Sequence, residues 1–231
     1  MARLDPTMEE HLRREHEQEA ETLALIEQLL LDGDPWGATG VGIDYGLWDQ
    51  VPGILHRLWV AGRIPDAELA LALSEVWIFN KAPLDCLGQR AWVSMFKATG
   101  YLCRASSTTG VTSPYPMDWH EERPTEPVTV WRGARSGSGG KGMSWSSYRA
   151  CAMEFAQGKA DVWGAGTLYR ATVPGRAVLA QFVDFREQEV VVNPDFLRGR
   201  IQVDVEVTES AEHAALRTET LAVVGGVIRV V

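Results

Sequence analysis

Three stretches far apart in the chain hold residue types that could do chemistry together. The last runs Val183-Asp184-Phe185-Arg186-Glu187-Gln188-Glu189-Val190-Val191-Val192-Asn193-Pro194. It reads as a loop feeding a short strand, because three β-branched valines favour extended backbone and Asn-Pro ends the run. Glu187 and Glu189 stand two residues apart, a spacing that on a strand sends both carboxylates to one face. Such a pair at the mouth of an apolar strand is costly unless it has partners or work to do; the plainer alternative is a solvated pair on an edge strand. A second stretch, Val128-Thr129-Val130-Trp131, is a strand that ends in Arg132-Gly133. A strand-end guanidinium can offer two parallel donors to a phosphate, and a glycine lets backbone come close. The plainer alternative is a surface arginine in an ion pair. The third stretch is Ser144-Trp145-Ser146. On a strand the two hydroxyls share a face, able to fix nearby backbone and position a carboxylate, while Trp145 turns to the core.

Taken in order, these stretches are arginine-glycine at a strand end, serine-x-serine on a second strand, and glutamate-x-glutamate where a later strand begins. That order resembles the arginine–serine–glutamate class of mono-ADP-ribosyltransferases, which includes many bacterial toxins and phage-encoded enzymes. The resemblance covers roughly residues 128 to 207, through Val130-Trp131-Arg132-Gly133-Ala134, Gly142-Met143-Ser144-Trp145-Ser146-Ser147 with Ala152 and Phe155-Ala156, and Glu187-Gln188-Glu189-Val190-Val191-Val192. It departs from the family's frequent Ser-Thr-Ser in the middle residue, Trp145. The resemblance implies NAD as co-substrate, with Arg132 clamping its phosphates beside Gly133. Ser144 would hold the ribose region and steady the catalytic glutamate, with Ser146 bracing the pocket. Glu189 would be the catalytic glutamate on a ribose hydroxyl, and Glu187 the glutamate facing an arginine acceptor on a protein. Residues about Leu179 to Arg186 would meet that acceptor. The nicotinamide-stacking aromatic is open among Tyr148, Phe155 and Trp163, with Phe155 the better core residue.

The residues suit that chemistry. Breaking the nicotinamide–ribose bond develops positive charge on the sugar, as in glycoside hydrolysis, and a preorganised carboxylate favours that state. No metal is expected, because nicotinamide is already a good leaving group. A protonated guanidinium is a poor nucleophile, and Glu187 could orient it and take its proton. Water as acceptor would make the same pocket an NAD glycohydrolase. A non-catalytic binding module, with the N-terminal helices as partner surface, is the alternative from another class.

Composition narrows the partners. The 231 residues carry net charge −9, which argues against a general nucleic-acid binder. Cys86, Cys103 and Cys151 are scattered and make no disulfide framework. Residues 1–20 are dense in charge and no apolar run approaches about 20 residues, so neither a signal peptide nor a membrane span is expected. The expected location is the cytoplasm of a bacterium or a phage-infected host. Gly137-Ser138-Gly139-Gly140-Lys141-Gly142 matches a dinucleotide fingerprint by spelling only, since a strand and not a helix should follow; a flexible connector is the better reading. The five histidines lack metal-ligand spacing, and no nucleophile elbow is present.

The elements that must position these residues divide in two. Residues 1–110 should be mainly helical. Thr7 to Glu10 form a capping box, and a helix runs to Leu31 with Leu23, Ile26 and Leu30 as its stripe. Residues 33–47 read as loop. Further helices are expected over 51–61, from about 66, and over 84–98. The proline-punctuated stretch 104–127 is a boundary or long loop. Residues 111–231 should form the catalytic core. Its strands are 128–131, 144–146, 166–173, 177–183, 189–192, 201–207, 220–224 and 227–231, with a helix over 148–157 closed by Gly158. The expected fold is α+β, a helical N-terminal region beside a mainly antiparallel split β-sandwich core.

Overall fold

The structure, a computed structural model, describes residues 6–79, 86–105, 122–138, 140–183 and 188–210. It divides into two compact units, residues 1–102 and 103–231. Helices and a seven-stranded, mostly antiparallel sheet make it α+β.

The first unit is helical. Helix α1 spans Pro6–Leu31, α2 Pro35–Asp44, α3 Val51–Val60, α4 Asp66–Phe79 and α5 Gln89–Thr99. Helix α1 ends where Gly33 takes a left-handed φ of 75°. From Met8 to Glu21 nearly every residue is exposed, and Arg13 and Arg14 reach Glu17 and Glu10 one turn away. Ile26 and Leu30 are buried. Helix α2 overturns the loop expected over 33–47. The Asp34 carboxylate accepts the Gly37 N–H at 2.9 Å and Pro35 opens the first turn, so the start is well capped. One of the glycines that read as loop lets the helix pack closely: a Cβ on Gly42 would stand 2.7 Å from Val51 Cγ2. Helix α5 starts at Gln89, later than expected; residue 84 lies outside the described residues. Trp77 of α4 meets Trp92 and Phe96 of α5 edge-on, at 4.9 and 5.2 Å between ring centres, in this unit's aromatic core.

The second unit is built on the sheet. Strand β1 spans Leu102–Ala105, β2 Val128–Arg135, β3 Ser144–Ser146, β4 Ala165–Val173, β5 Val178–Val183, β6 Glu189–Val192 and β7 Gln202–Thr208. Their order is β1-β5-β6-β3-β2-β4-β7, and the pairings from β5 to β7 are antiparallel. The last two residues of strand β1 enter the stretch 104–127 expected to be a boundary or loop. Strands β2 and β4 pair along their whole length, Val128 with Val173 through Arg135 with Gly166. Strands β2 and β3 are joined by the single pair Trp131–Ser146. The sheet is therefore narrowest between the strand that carries Arg132 and the strand that carries the serines. Helix α6, Arg149–Trp163, covers β2 and β4. It runs past Gly158, which is exposed and costs only helix propensity, and stops at Gly164, where φ is 82°. The tail strands expected over 220–231 lie outside the described residues. Among the described residues no helix is long and apolar enough to cross a membrane.

Candidate active site

Close packing under β2 fixes the first site residue. Trp131 and Gly133 face α6, whose Ala152, Ala156 and Ala160 are buried. A Cβ on Gly133 would run into the Ala152 carbonyl oxygen and the Ala156 nitrogen, and one on Gly166 of β4 into the Ala156 carbonyl. Gly133 thus has a packing reason: helix backbone, rather than open space, lies over its Cα.

Arg132, one residue back, leaves β2 on the side away from α6. Its Nη1 donates to the Ser144 carbonyl oxygen. That carbonyl belongs to the start of β3, where pairing with β2 has ceased, so the guanidinium lies at the seam where the two strands part. Gly142 closes the seam. A Cβ there would stand 2.5 Å from Nη2 and 2.6 Å from Nη1 of Arg132, so only glycine leaves room for the guanidinium. The Arg132 Nε is buried without a hydrogen-bond partner. Burial pushes the guanidinium's pKa below its ordinary value, and the Glu189 charge pushes it back up. Glu189 therefore lies within electrostatic reach of Arg132.

The serines and Glu189 meet by register. Ser144 pairs with Val191, Trp145 with Val190 and Ser146 with Glu189. Directly opposed residues of an antiparallel pair share a face, so Ser146, rather than Ser144, stands beside Glu189. Ser146 Oγ also accepts the Tyr148 N–H at 3.0 Å, tying it to the start of α6. Trp145 is core, as expected, and its Nε1 donates to the Gly142 carbonyl at 2.8 Å. That bond holds Gly142 against the guanidinium.

Strand β6 begins at Glu189, and Gln188 has φ 38°, the one left-handed non-glycine among the described residues. A left-handed glutamine costs roughly 1–2 kcal/mol. Glu187 itself lies outside the described residues, as do 184–186 of the expected acceptor loop; 179–183 are strand β5. Gln188 is 4% exposed, and its carbonyl accepts the Ser147 N–H at 3.2 Å.

Of the three aromatic candidates, Phe155 and Trp163 are 43% and 56% exposed on α6, so Phe155 is not core. The Arg135 guanidinium sits 4.8 Å over the Trp163 ring. Tyr148 is half-buried and next in chain to the Ser146–Ser147 segment. Sequence reasoning missed Gly142 and Gln188. Gly142 stood inside a glycine run read as connector. Gln188 carried no signal, since glutamine is not a residue that marks left-handed backbone. Among the described residues no cluster of three or more histidine, cysteine or acidic side chains could hold a metal.

In sum of chemistry, the site offers a half-buried cation held by a backbone carbonyl, a hydroxyl opposite a carboxylate, and that carboxylate within the cation's field. Such a set can hold an anion and stabilise positive charge developing nearby. Comparison of the chain with protein-family models, with curated proteins and with solved structures finds no match.

Proposed function

We propose that this protein is a mono-ADP-ribosyltransferase, moving ADP-ribose from NAD to a protein acceptor through an arginine side chain and releasing nicotinamide. The observation that carries the reading is the adjacency of β2, β3 and β6, with Ser146 opposite Glu189 and the Glu189 charge felt at Arg132. Residues far apart in the chain need not share a sheet, and these lie on neighbouring strands: Ser146 stands opposite Glu189 and also opposite Trp131, the residue before Arg132. The narrow β2–β3 junction is compatible with a sheet that splits into two halves around a nucleotide.

In this reading Arg132 meets NAD phosphate through its donors not spent on Ser144. Ser146 orients Glu189, and Ser144 lines the same strand. Glu189 accepts a ribose hydroxyl bond and stabilises the positive sugar as the nicotinamide bond breaks. Glu187 receives the acceptor guanidinium and takes its proton. Cys86, Cys103 and Cys151 are thiols, which suits a reducing cytoplasm, where we place the reaction. The test is incubation with labelled NAD and a mixture of proteins, followed by mass spectrometry. Label on arginine of a protein, together with free nicotinamide, is the expected result. Nicotinamide release that is equal with and without protein, and no labelled protein, would make the enzyme a glycohydrolase. No nicotinamide release and no rise in melting temperature with NAD would leave a non-catalytic module, because a ligand of the native state must stabilise it.

A further inference from the structure

The left-handed residue ahead of Glu189 is the feature that the catalytic reading leaves unused. Backbone strain persists only where surrounding structure holds it, and it gathers at functional sites. Here the holding contacts can be named. Ser147 donates its N–H to the Gln188 carbonyl, extending the β3–β6 ladder one step beyond the Ser146–Glu189 pair. The Ser147 hydroxyl lies 3.5 Å from Gln188 Oε1, and the Gln188 side chain is buried. The serine that stands beside Glu189 is thus followed at once by the residue that holds Gln188. Left-handed backbone at 188 turns the chain as it joins β6, which fixes the direction in which the Glu189 Cα–Cβ bond leaves the strand.

Resting on the transferase reading, we propose that Gln188 is a positioning residue: its left-handed conformation, held by Ser147, aims the Glu189 carboxylate at the reacting sugar. In this role it acts through Glu189 and not on the substrate itself. Glycine at 188 adopts φ above zero without cost but many other conformations too, so it releases the constraint while relieving the strain. Asparagine tolerates left-handed backbone better than most residues and keeps an amide.

The experiment compares Gln188→Gly and Gln188→Asn with the unaltered chain, measuring kcat and KM for nicotinamide release and thermal melting. Misplacement of a reacting group by about 1 Å can cost about a hundredfold, so Gln188→Gly is expected to lower kcat by at least about tenfold. The KM for NAD should stay within about twofold, since binding through Arg132 is untouched, and melting should change little, because relief of the strain offsets loss of the buried side chain. Gln188→Asn should recover most of the lost kcat. An active wild type with Gln188→Gly at full kcat overturns the inference alone. So does a loss in Gln188→Gly matched by a fall in melting temperature, or an equal loss in Gln188→Asn. A wild type that releases no nicotinamide overturns the transferase reading, and this inference with it.

Discussion

Gly142→Ala isolates the position of the Arg132 guanidinium. The new methyl carbon would lie 2.5 Å from Nη2 and 2.6 Å from Nη1. Ordinary contact between such atoms is about 3.5 Å, so the guanidinium must retreat by about 1 Å. It is the far end of a long side chain, and it can do so without moving the strand. It cannot also keep its hydrogen bond to the Ser144 carbonyl. A hydrogen bond to a charged group is worth about 1.5–3 kcal/mol, of which water can restore part. The expected loss of stability is therefore about 1–2 kcal/mol, roughly 2–8 °C in Tm for a chain of this size. The same displacement moves the proposed phosphate donor. A loss of about 1.5–3 kcal/mol there lowers NAD affinity roughly 10- to 100-fold, at about 1.4 kcal/mol per decade. Thermal unfolding and titration calorimetry with NAD read the two effects separately. A variant that melts and binds NAD as the wild type does would refute the seam geometry. A variant that fails to fold would refute the claim that the guanidinium can yield without the strand.

Two further substitutions probe other parts of the structure. In Gly133→Ala the obstacle is main chain, not side-chain tip: the Cβ would lie 2.8 Å from the Phe155 carbonyl carbon and closer still to atoms of Ala152 and Ala156. Helix α6 would have to lift off β2, so chemical denaturation should show a loss of about 3 kcal/mol or more, and a change below about 0.5 kcal/mol would contradict the packing. Glu27 bonds Arg57 at 2.8 Å and Arg63 at 2.5 Å, and these two hydrogen bonds hold its carboxyl below the usual carboxylate pKa. A depressed folded pKa gives stability that is present above the unfolded value of 4.5 and lost as pH falls through the lower folded value. Glu27→Gln should therefore melt lower than wild type near neutral pH, with the gap closing in acid. The arginines are largely exposed, so the gap is about 1 kcal/mol or less; a gap that widens in acid would contradict the assignment.

What the chain's residues announce and what they hide follows from physical range. The Trp131-Arg132, Ser144–Ser146 and Glu189 segments were legible because β-branched and aromatic residues, bounded by Gly, Pro and Asn, mark strands locally. The side-by-side order of β2, β3 and β6 was not legible, since pairing between distant segments leaves no local trace. Helix α2 was missed because glycine lowers helix propensity, and the gain from closeness at Gly42 appears only once Val51 is beside it. The stop of α6 was placed at Gly158 instead of Gly164 because both glycines look alike in sequence; only the second takes left-handed backbone. The expectation that Glu187 and Glu189 share a face involves a residue outside the described ones; Gln188 between them has φ 38°, which glutamine does not announce in sequence. The serine beside Glu189 proved to be Ser146 because register counts residues from the seam, and nothing in Ser-Trp-Ser says which serine that reaches.

The most direct measurement of the central claim is nicotinamide release from NAD by the wild type and by Glu189→Gln, with melting temperature followed as NAD is added. Glutamine keeps the side chain's size and removes its charge, so both proteins should melt higher with NAD while only the wild type releases nicotinamide. Equal turnover in the two proteins would mean that Glu189, despite standing opposite Ser146 and within the field of Arg132, takes no part in the reaction.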